Sequence, residues 1–292
     1  MTALLVDDLP RGLIAPFRRR TTDPMTRRLG LARLRTVGLD TLVNHAALME
    51  RTDRKYIVPV STARALVDAI ADTHRVLKIE GRRYTTYQSL YFDTVDLSSV
   101  QAHIQRRRRR WKVRSRLYVE DDLCRVDVKT KDNSGATIKV MAESAPGRFG
   151  TLVGADRRFV EGQLAGYVDA DVSKLVPAAE IDYTRSTLAD LKAGARVTID
   201  WNLATRTNMG AAWLDSGYVL IETKGPDASS RADQVLREFR VRPQRFSKYV
   251  AAAATTTPRV PDNDFRRLLA RGILHARSGA LAPQLMAVPS NR

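Results

Sequence analysis

Between Trp111 and Glu120 cations recur at every second residue: Lys112, Arg114 and Arg116, then Tyr118, alternate with Trp111, Val113, Ser115, Leu117 and Val119. Alternate residues of an extended chain project from the same side, so this spacing predicts a strand with one cationic and one largely apolar face. The next segment repeats it, with Arg125, Asp127, Lys129 and Lys131 on one parity and Cys124, Val126, Val128 and Thr130 on the other. The same rule groups Arg51, Asp53 and Lys55, then Tyr183 with Arg185, then Arg196, Thr198 and Asp200, then Glu222 with Lys224. A sheet face that simply meets water is one reading of such strands. Solvated faces usually mix the two signs, however, whereas arginine and lysine dominate here. Guanidinium groups do not shed their protons, so cations gathered on one face repel each other unless an anion joins them. Their planar fork matches phosphate oxygens two at a time, which makes phosphate the expected ligand.

The segments that must position these residues are mostly strands. Period-two alternation marks 51–58, 85–92, 111–120, 123–131, 137–141, 180–185, 196–201 and 218–224, and Asp132, Asn133, Ser134 and Gly135 supply turn chemistry between two of them. Three segments read as helices: one capped by Ser61 or Thr62 and reaching Asp72, one carrying Phe159, Val160, Leu164, Tyr167 and Val168, and one starting at Ser229 or Ser230. Strands outnumber helices, which predicts an α+β domain built on an antiparallel sheet or barrel.

Composition narrows the function further. The 49 Lys and Arg against 32 Asp and Glu leave a net charge of +17, which favours a polyanionic partner. The single cysteine, Cys124, excludes an internal disulfide and leaves no thiolate cluster for zinc, and only 4 histidines are present. Cys124, Trp111 and Trp201 fit core positions. The run Arg106 to Arg110 reads as a basic hairpin tip or as a rim that guides a polyanion. No aromatic stacking motif accompanies it, which disfavours nucleic acid.

Eight short motifs, in order, resemble the VTC domain, the polyphosphate polymerase domain, a branch of the CYTH-like triphosphate tunnel metalloenzymes. They are Glu50 to Tyr56, Ser89 to Thr94, Arg110 to Tyr118, Val126 to Lys131, Tyr183 to Arg185, Val197 to Asp200, Leu220 to Lys224 and Phe246 to Tyr249. The resemblance implies a closed antiparallel tunnel barrel of about eight strands, with flanking helices, whose lumen binds a triphosphate with a divalent cation. Carried over position by position, it implies Lys55, Arg114, Arg116, Arg185 and Glu222 as catalytic residues. Arg51, Arg108, Lys129, Lys131, Lys139, Tyr183, Lys224 and Lys248 become substrate ligands, and Glu222 and Asp127 metal ligands for Mn²⁺ or Mg²⁺. Triphosphate hydrolases of the superfamily tend to open with Glu-x-Glu-x-Lys on the first strand; here those alternate positions are Arg51, Asp53 and Lys55. Exchanging a carboxylate for a cation shifts the site from metal chelation toward holding phosphate charge.

The activity so implied is a metal-dependent phosphotransferase that moves the γ-phosphate of ATP onto a growing polyphosphate chain. A triphosphate hydrolase of the same fold and a non-catalytic polyphosphate-binding module are the alternatives. The expected organisation is a basic, partly disordered N-terminal arm over 1–46, the tunnel domain over 47–256 and a basic C-terminal tail over 257–292. No stretch approaches the roughly 20 apolar residues of a membrane-spanning helix, and the first residues lack the pattern of a signal peptide. A cytoplasmic placement is expected, with room for a peripheral position at the inner face of the membrane and for a membrane-protein partner that takes up the product. The sequence leaves the oligomeric state open.

Overall fold

The computed structural model describes residues 23–46, 52–133, 136–165, 171–225 and 230–279. Its strands are β1 (Thr36–Val37), β2 (Thr52–Pro59), β3 (Arg75–Leu77), β4 (Thr85–Asp93), β5 (Arg110–Tyr118), β6 (Leu123–Lys131), β7 (Thr137–Ser144), β8 (Val176–Asp190), β9 (Ala195–Thr207), β10 (Gly210–Leu214), β11 (Tyr218–Gly225) and β12 (Leu274–Ser278). The helices are α1 (Pro24–Arg28), α2 (Leu39–Ala46), α3 (Val60–Ala69), α4 (Ser98–Ile104), α5 (Gly154–Leu164), α6 (Arg231–Glu238), α7 (Lys248–Thr256) and α8 (Arg266–Ala270). An antiparallel-sheet-rich α+β fold with flanking helices is therefore present, as the strand periodicity predicts.

The closed eight-stranded barrel is not. The 12 strands pair along the path β12-β10-β9-β8-β4-β5-β6-β7, with β11 and β2 branching from β9 and β3 and β1 branching from β8. Among the described residues β2 pairs only with β11 and β7 only with β6, so the path does not return on itself. The physical reason lies in strand length. β8 and β9 run for 15 and 13 residues, far beyond the six-residue segments that alternation marks. A strand that long takes different partners along its length: β9 pairs with β11 through Arg196 to Asp200 and with β10 through Ala204 to Thr207. The sheet consequently branches.

The chain divides into two compact units. The first comprises Met1–Thr86, Tyr183–Leu203 and Leu214–Phe246; the second comprises Tyr87–Asp182, Ala204–Trp213 and Ser247–Arg292. In the first unit, one parity of β2, β9 and β11 supplies Tyr56, Val58, Val197, Ile199, Trp201, Val219 and Ile221 to a core completed by Leu66 of α3 and Leu236 of α6. Ser230 caps α6 by accepting from the Asp233 N–H, as its sequence position predicts.

That same core contains Met25, Leu29, Leu31 and Leu34, from the stretch expected as an N-terminal arm. Fully burying a leucine stabilises by about 2 kcal/mol, and Leu29 and Leu31 are wholly buried. Residues 23–46 thus belong to the folded unit. Asp23 starts this segment by accepting from the Met25 N–H, with Pro24 at the first helical position.

In the second unit β4, β5, β6 and β7 form an antiparallel meander. One face puts Leu90, Phe92, Trp111, Val113, Val126 and Val128 against Val160 and Leu164 of α5. Trp111 and Cys124 are buried, as the apolar parity predicts, and Trp201 is likewise core in the first unit. The expected C-terminal tail is folded in part: Phe265, Leu268, Ile273 and Leu274 are buried and β12 neighbours β10. No described helix is long and apolar enough to cross a membrane.

Candidate anion-binding site

With its apolar parity turned into the core of the second unit, the meander presents its cations on the opposite face. Register places Arg114 opposite Tyr91 of β4 and Asp127 of β6, and Arg116 opposite Ser89 and Arg125. Asp127 lies at the centre and is only 2% exposed. Its Oδ2 accepts from Arg114 Nε at 2.7 Å and lies 2.6 Å from Arg114 Nη2 and 3.9 Å from Arg116 Nη1, while Lys139 Nζ of β7 stands 3.4 Å from Oδ1. Three cations therefore share one carboxylate. Burial alone would raise the Asp127 carboxyl; Arg114, then Arg116 and Lys139, bring it down to about 2, so it is a permanent anion at neutral pH.

Aromatic rings hold the two guanidiniums from beneath. Arg114 Nη1 donates to Tyr91 Oη at 2.9 Å and its guanidinium carbon lies 5.6 Å from that ring, and Arg116 sits 5.1 Å from the Tyr87 ring while its Nε donates to Ser89 Oγ at 3.3 Å. Lys112 Nζ donates to Ser247 Oγ at 2.9 Å, the same hydroxyl that caps α7. These cations are fixed by the protein before any ligand arrives, which is the preorganisation that electrostatic catalysis requires.

The first unit carries a second cluster on the polar parity of β2, β9 and β11. Glu222 stands opposite Lys55 on one side and Thr198 on the other, and Lys224 stands opposite Asp53 and Arg196. Lys224 Nζ lies 2.8 Å from Glu222 Oε1, Lys55 Nζ 3.7 Å from the same oxygen, and Arg185 Nη2 3.9 Å from Oε2. Arg185 donates through Nε and Nη2 to the two oxygens of buried Asp200 at 2.6 and 2.7 Å, and it lies 5.2 Å from the Tyr183 ring. Lys224 also bonds Asp53 at 3.2 Å. Lys224, Lys55 and Arg185 hold Glu222 well below the usual carboxylate range against the opposing effect of burial. Glu222, Asp200 and Asp53 pair here with Lys55, Arg185 and Lys224, whereas in the second unit Asp127 pairs with Arg114, Arg116 and Lys139.

The sequence-predicted residues thus separate into groups. Arg114, Arg116, Lys139 and Asp127 come together in the second unit, and Lys55, Tyr183, Arg185, Glu222 and Lys224 in the first. Lys129 is exposed and stands in register between Lys112 and Lys139, and Lys131 stands opposite Arg110. Arg108 is exposed in the turn between α4 and β5, and Lys248 is the first residue of α7. Arg51 lies outside the described residues. Alternation does not bring out Tyr87, Tyr91 and Tyr249 as supporting residues, whereas Asp200 falls on the polar parity that it groups with Arg196 and Thr198. Tyr91 and Ser89 share a parity within a quoted motif, and that spacing is the signal that could have found them.

Among the described residues no three of His, Cys, Asp and Glu gather in one place, so a divalent cation held here would rest on one or two carboxylates and complete its shell with water and phosphate oxygens. Glu222 and Asp127 each already face three cations. Both stand as counter-ions to those cations.

Several solved structures are similar to the chain. HpAC1 from Hippeastrum, a protein with a dominant triphosphatase activity, is 18% identical, with 73% of this chain and 99% of that one covered at a TM-score of 0.46. The PH1819 protein from Pyrococcus horikoshii is 11% identical, with 68% and 95% covered at 0.38. PH1012 from the same organism is 9% identical, with 70% and 99% covered at 0.38. No curated protein matches the chain. The VTC domain family model matches residues 50–257, the stretch that carries both clusters, and the chain belongs to the VTC domain family.

Proposed function

We propose that this protein is a polyphosphate polymerase, transferring the γ-phosphate of ATP to a growing polyphosphate chain. The observation that carries the reading is the Asp127 cluster, where Arg114, Arg116 and Lys139 are positioned around one carboxylate. Membership of the VTC domain family supports phosphate as that anion.

In the proposed reaction an oxygen of the chain's terminal phosphate forms a bond to the γ-phosphorus of ATP while the bond from that phosphorus to the β–γ bridging oxygen breaks, and ADP leaves. The attacking oxygen is already negative, so no serine or histidine nucleophile is needed. Positioning and charge stabilisation carry such a transfer. Arg114, Arg116 and Lys139 hold phosphate oxygens in the second unit, and Lys55, Arg185 and Lys224 do so in the first; Glu222 and Asp127 keep these cations apart and aimed. Lys129 and Lys248 clamp the chain. Mn²⁺ or Mg²⁺, when bound, would offset negative charge on the phosphates.

Purified protein incubated with ATP and Mn²⁺ or Mg²⁺, with ADP, free phosphate and polymer resolved separately, tests the reading. Polymer with matching ADP supports it, and free phosphate without polymer identifies a triphosphate hydrolase. No turnover leaves a polyanion-binding module. Arg116→Ala should lower turnover on the order of a hundredfold, the usual cost of one transition-state donor.

A further inference from the structure

Toward the end of β5 the polar face of the meander changes character. Register sets Arg116 opposite Ser89 and Arg125, and in the next row sets Tyr118 opposite Tyr87 and Leu123. Arg116 has Asp127 at 3.9 Å. Arg125 stands opposite Glu143 of β7 but forms no ion pair among the described residues. Its guanidinium carbon lies 5.6 Å from the centre of the Tyr118 ring, and Nη1 donates to Met141 Sδ at 3.7 Å. A thioether is a weak acceptor, so most of the hydrogen-bonding capacity of this guanidinium is left for a ligand.

The two tyrosines pack on each other, with ring centroids 5.0 Å apart and planes tilted by 56°, and each carries one arginine: Arg116 5.1 Å from the Tyr87 ring, Arg125 beside Tyr118. Tyr87, Tyr118 and Arg125 are half-buried, so all three keep a surface toward solvent. Aromatic rings and guanidinium planes are the side-chain surfaces on which nucleobases stack. From Arg114, which stands opposite Asp127, to Tyr118 the strand advances four residues, about 13 Å at the usual rise. The ribose and triphosphate of an extended nucleotide bridge such a span.

We propose that Tyr118 and Arg125, backed by Tyr87, form a nucleobase subsite: a nucleoside triphosphate lies with its terminal phosphates at the Asp127 cluster and its base stacked against the Tyr118 ring and the Arg125 guanidinium. The inference rests on the anion reading of that cluster and deepens it by giving the bound nucleotide a direction along β5. Every base has a π-face, so stacking is tolerant of base identity. The subsite therefore distinguishes a nucleotide from a bare triphosphate rather than one base from another.

Equilibrium binding of tripolyphosphate and of a non-hydrolysable ATP analogue, measured by calorimetry in metal-free buffer, tests this on the full chain and on Y118L, Y118F and R125K, with circular dichroism confirming each fold. Y118L keeps apolar bulk and removes the ring. It should bind the ATP analogue about tenfold more weakly, the scale of one lost stacking ring, with tripolyphosphate affinity unchanged. Y118F keeps the ring and should bind both ligands like the wild type. R125K keeps the charge and removes the plane; it should weaken the nucleotide alone, and it carries the test if Y118L does not fold. Wild-type affinity for the ATP analogue in both Y118L and R125K, or equal losses for the two ligands, overturns the proposal. Wild-type protein that binds the ATP analogue through Tyr118 but ignores tripolyphosphate would overturn the reading of the Asp127 cluster and leave the subsite standing, and binding of neither ligand would overturn both.

Discussion

Tyr249 Oη donates a 2.7 Å hydrogen bond to Asp93 Oδ2, joining the first turn of α7 to the end of β4. Asp93 is fully buried and also accepts from the N–H groups of Thr94, Ser99 and Val100, so one carboxylate both starts α4 and anchors α7. The Tyr249 ring stacks on Tyr91 with centroids 4.6 Å apart, and Tyr91 in turn holds Arg114. Tyr249→Phe keeps the stack and deletes one bond to a buried acceptor. We expect a loss of about 2 kcal/mol by denaturant titration, together with weaker tripolyphosphate binding because Arg114 loses part of its support. A variant with wild-type stability and affinity would show that the Asp93 contact positions nothing.

Arg114, Arg116 and Lys139 share the Asp127 carboxylate. Asp127→Asn keeps its shape and removes the charge, leaving three cations to repel each other. Removing one partner of a buried ion pair costs about 3 kcal/mol, so the variant should unfold at lower denaturant in phosphate-free buffer. An anion can take the place of the lost carboxylate. Tripolyphosphate should therefore raise the variant's melting temperature by more than it raises that of the wild type, and equal shifts would mean that the ligand binds elsewhere.

Glu222 and Asp127, ringed by cations, give a third expectation. Mn²⁺ alone should show no tight binding by electron paramagnetic resonance, whereas Mn²⁺ with a non-hydrolysable ATP analogue should give a protein-bound spectrum. Stoichiometric binding of the free ion would contradict the counter-ion role. Glu222→Gln should then perturb the orientation of Lys55 and Lys224 and weaken nucleotide binding in metal-free buffer as well.

Period-two alternation was enough to find β5, β6 and β11 almost to the residue, because one face of each is apolar and the other charged. The same contrast revealed the cations of both clusters apart from Lys139, which only the family resemblance supplied. It failed for α7, whose run Ala251 to Ala254 is buried all round and shows no periodic face, and for the short strands β1, β3, β10 and β12, which offer too few residues for a period. It also failed for residues 23–46, where arginines between buried leucines suggested a solvated arm. Nor does alternation say whether a carboxylate among cations will chelate metal or neutralise its neighbours. That outcome depends on cross-strand register, which put Lys55 directly opposite Glu222 and Arg114 directly opposite Asp127.

Lys139 makes polyanion binding sensitive to pH. Burial, together with the Arg114 and Arg116 guanidiniums, pushes its ammonium down to about 8 from an ordinary value near 10.5, while Asp127 pulls the other way. In the free protein Lys139 is thus charged below pH 8 and neutral above it, whereas in the unfolded chain it keeps its proton up to about 10.5. Between those limits the unfolded state binds more protons, so this group makes the free protein more stable as pH rises. Binding runs the opposite way. Phosphate oxygens beside Nζ favour the ammonium, so tripolyphosphate affinity should fall as pH rises from 8 to 10, with proton uptake in that window visible to calorimetry in buffers of different ionisation enthalpy. Lys139→Arg holds its charge throughout and should flatten the profile, and Lys139→Met should bind weakly at every pH. A wild-type profile as flat as that of the arginine variant would remove Lys139 from the site.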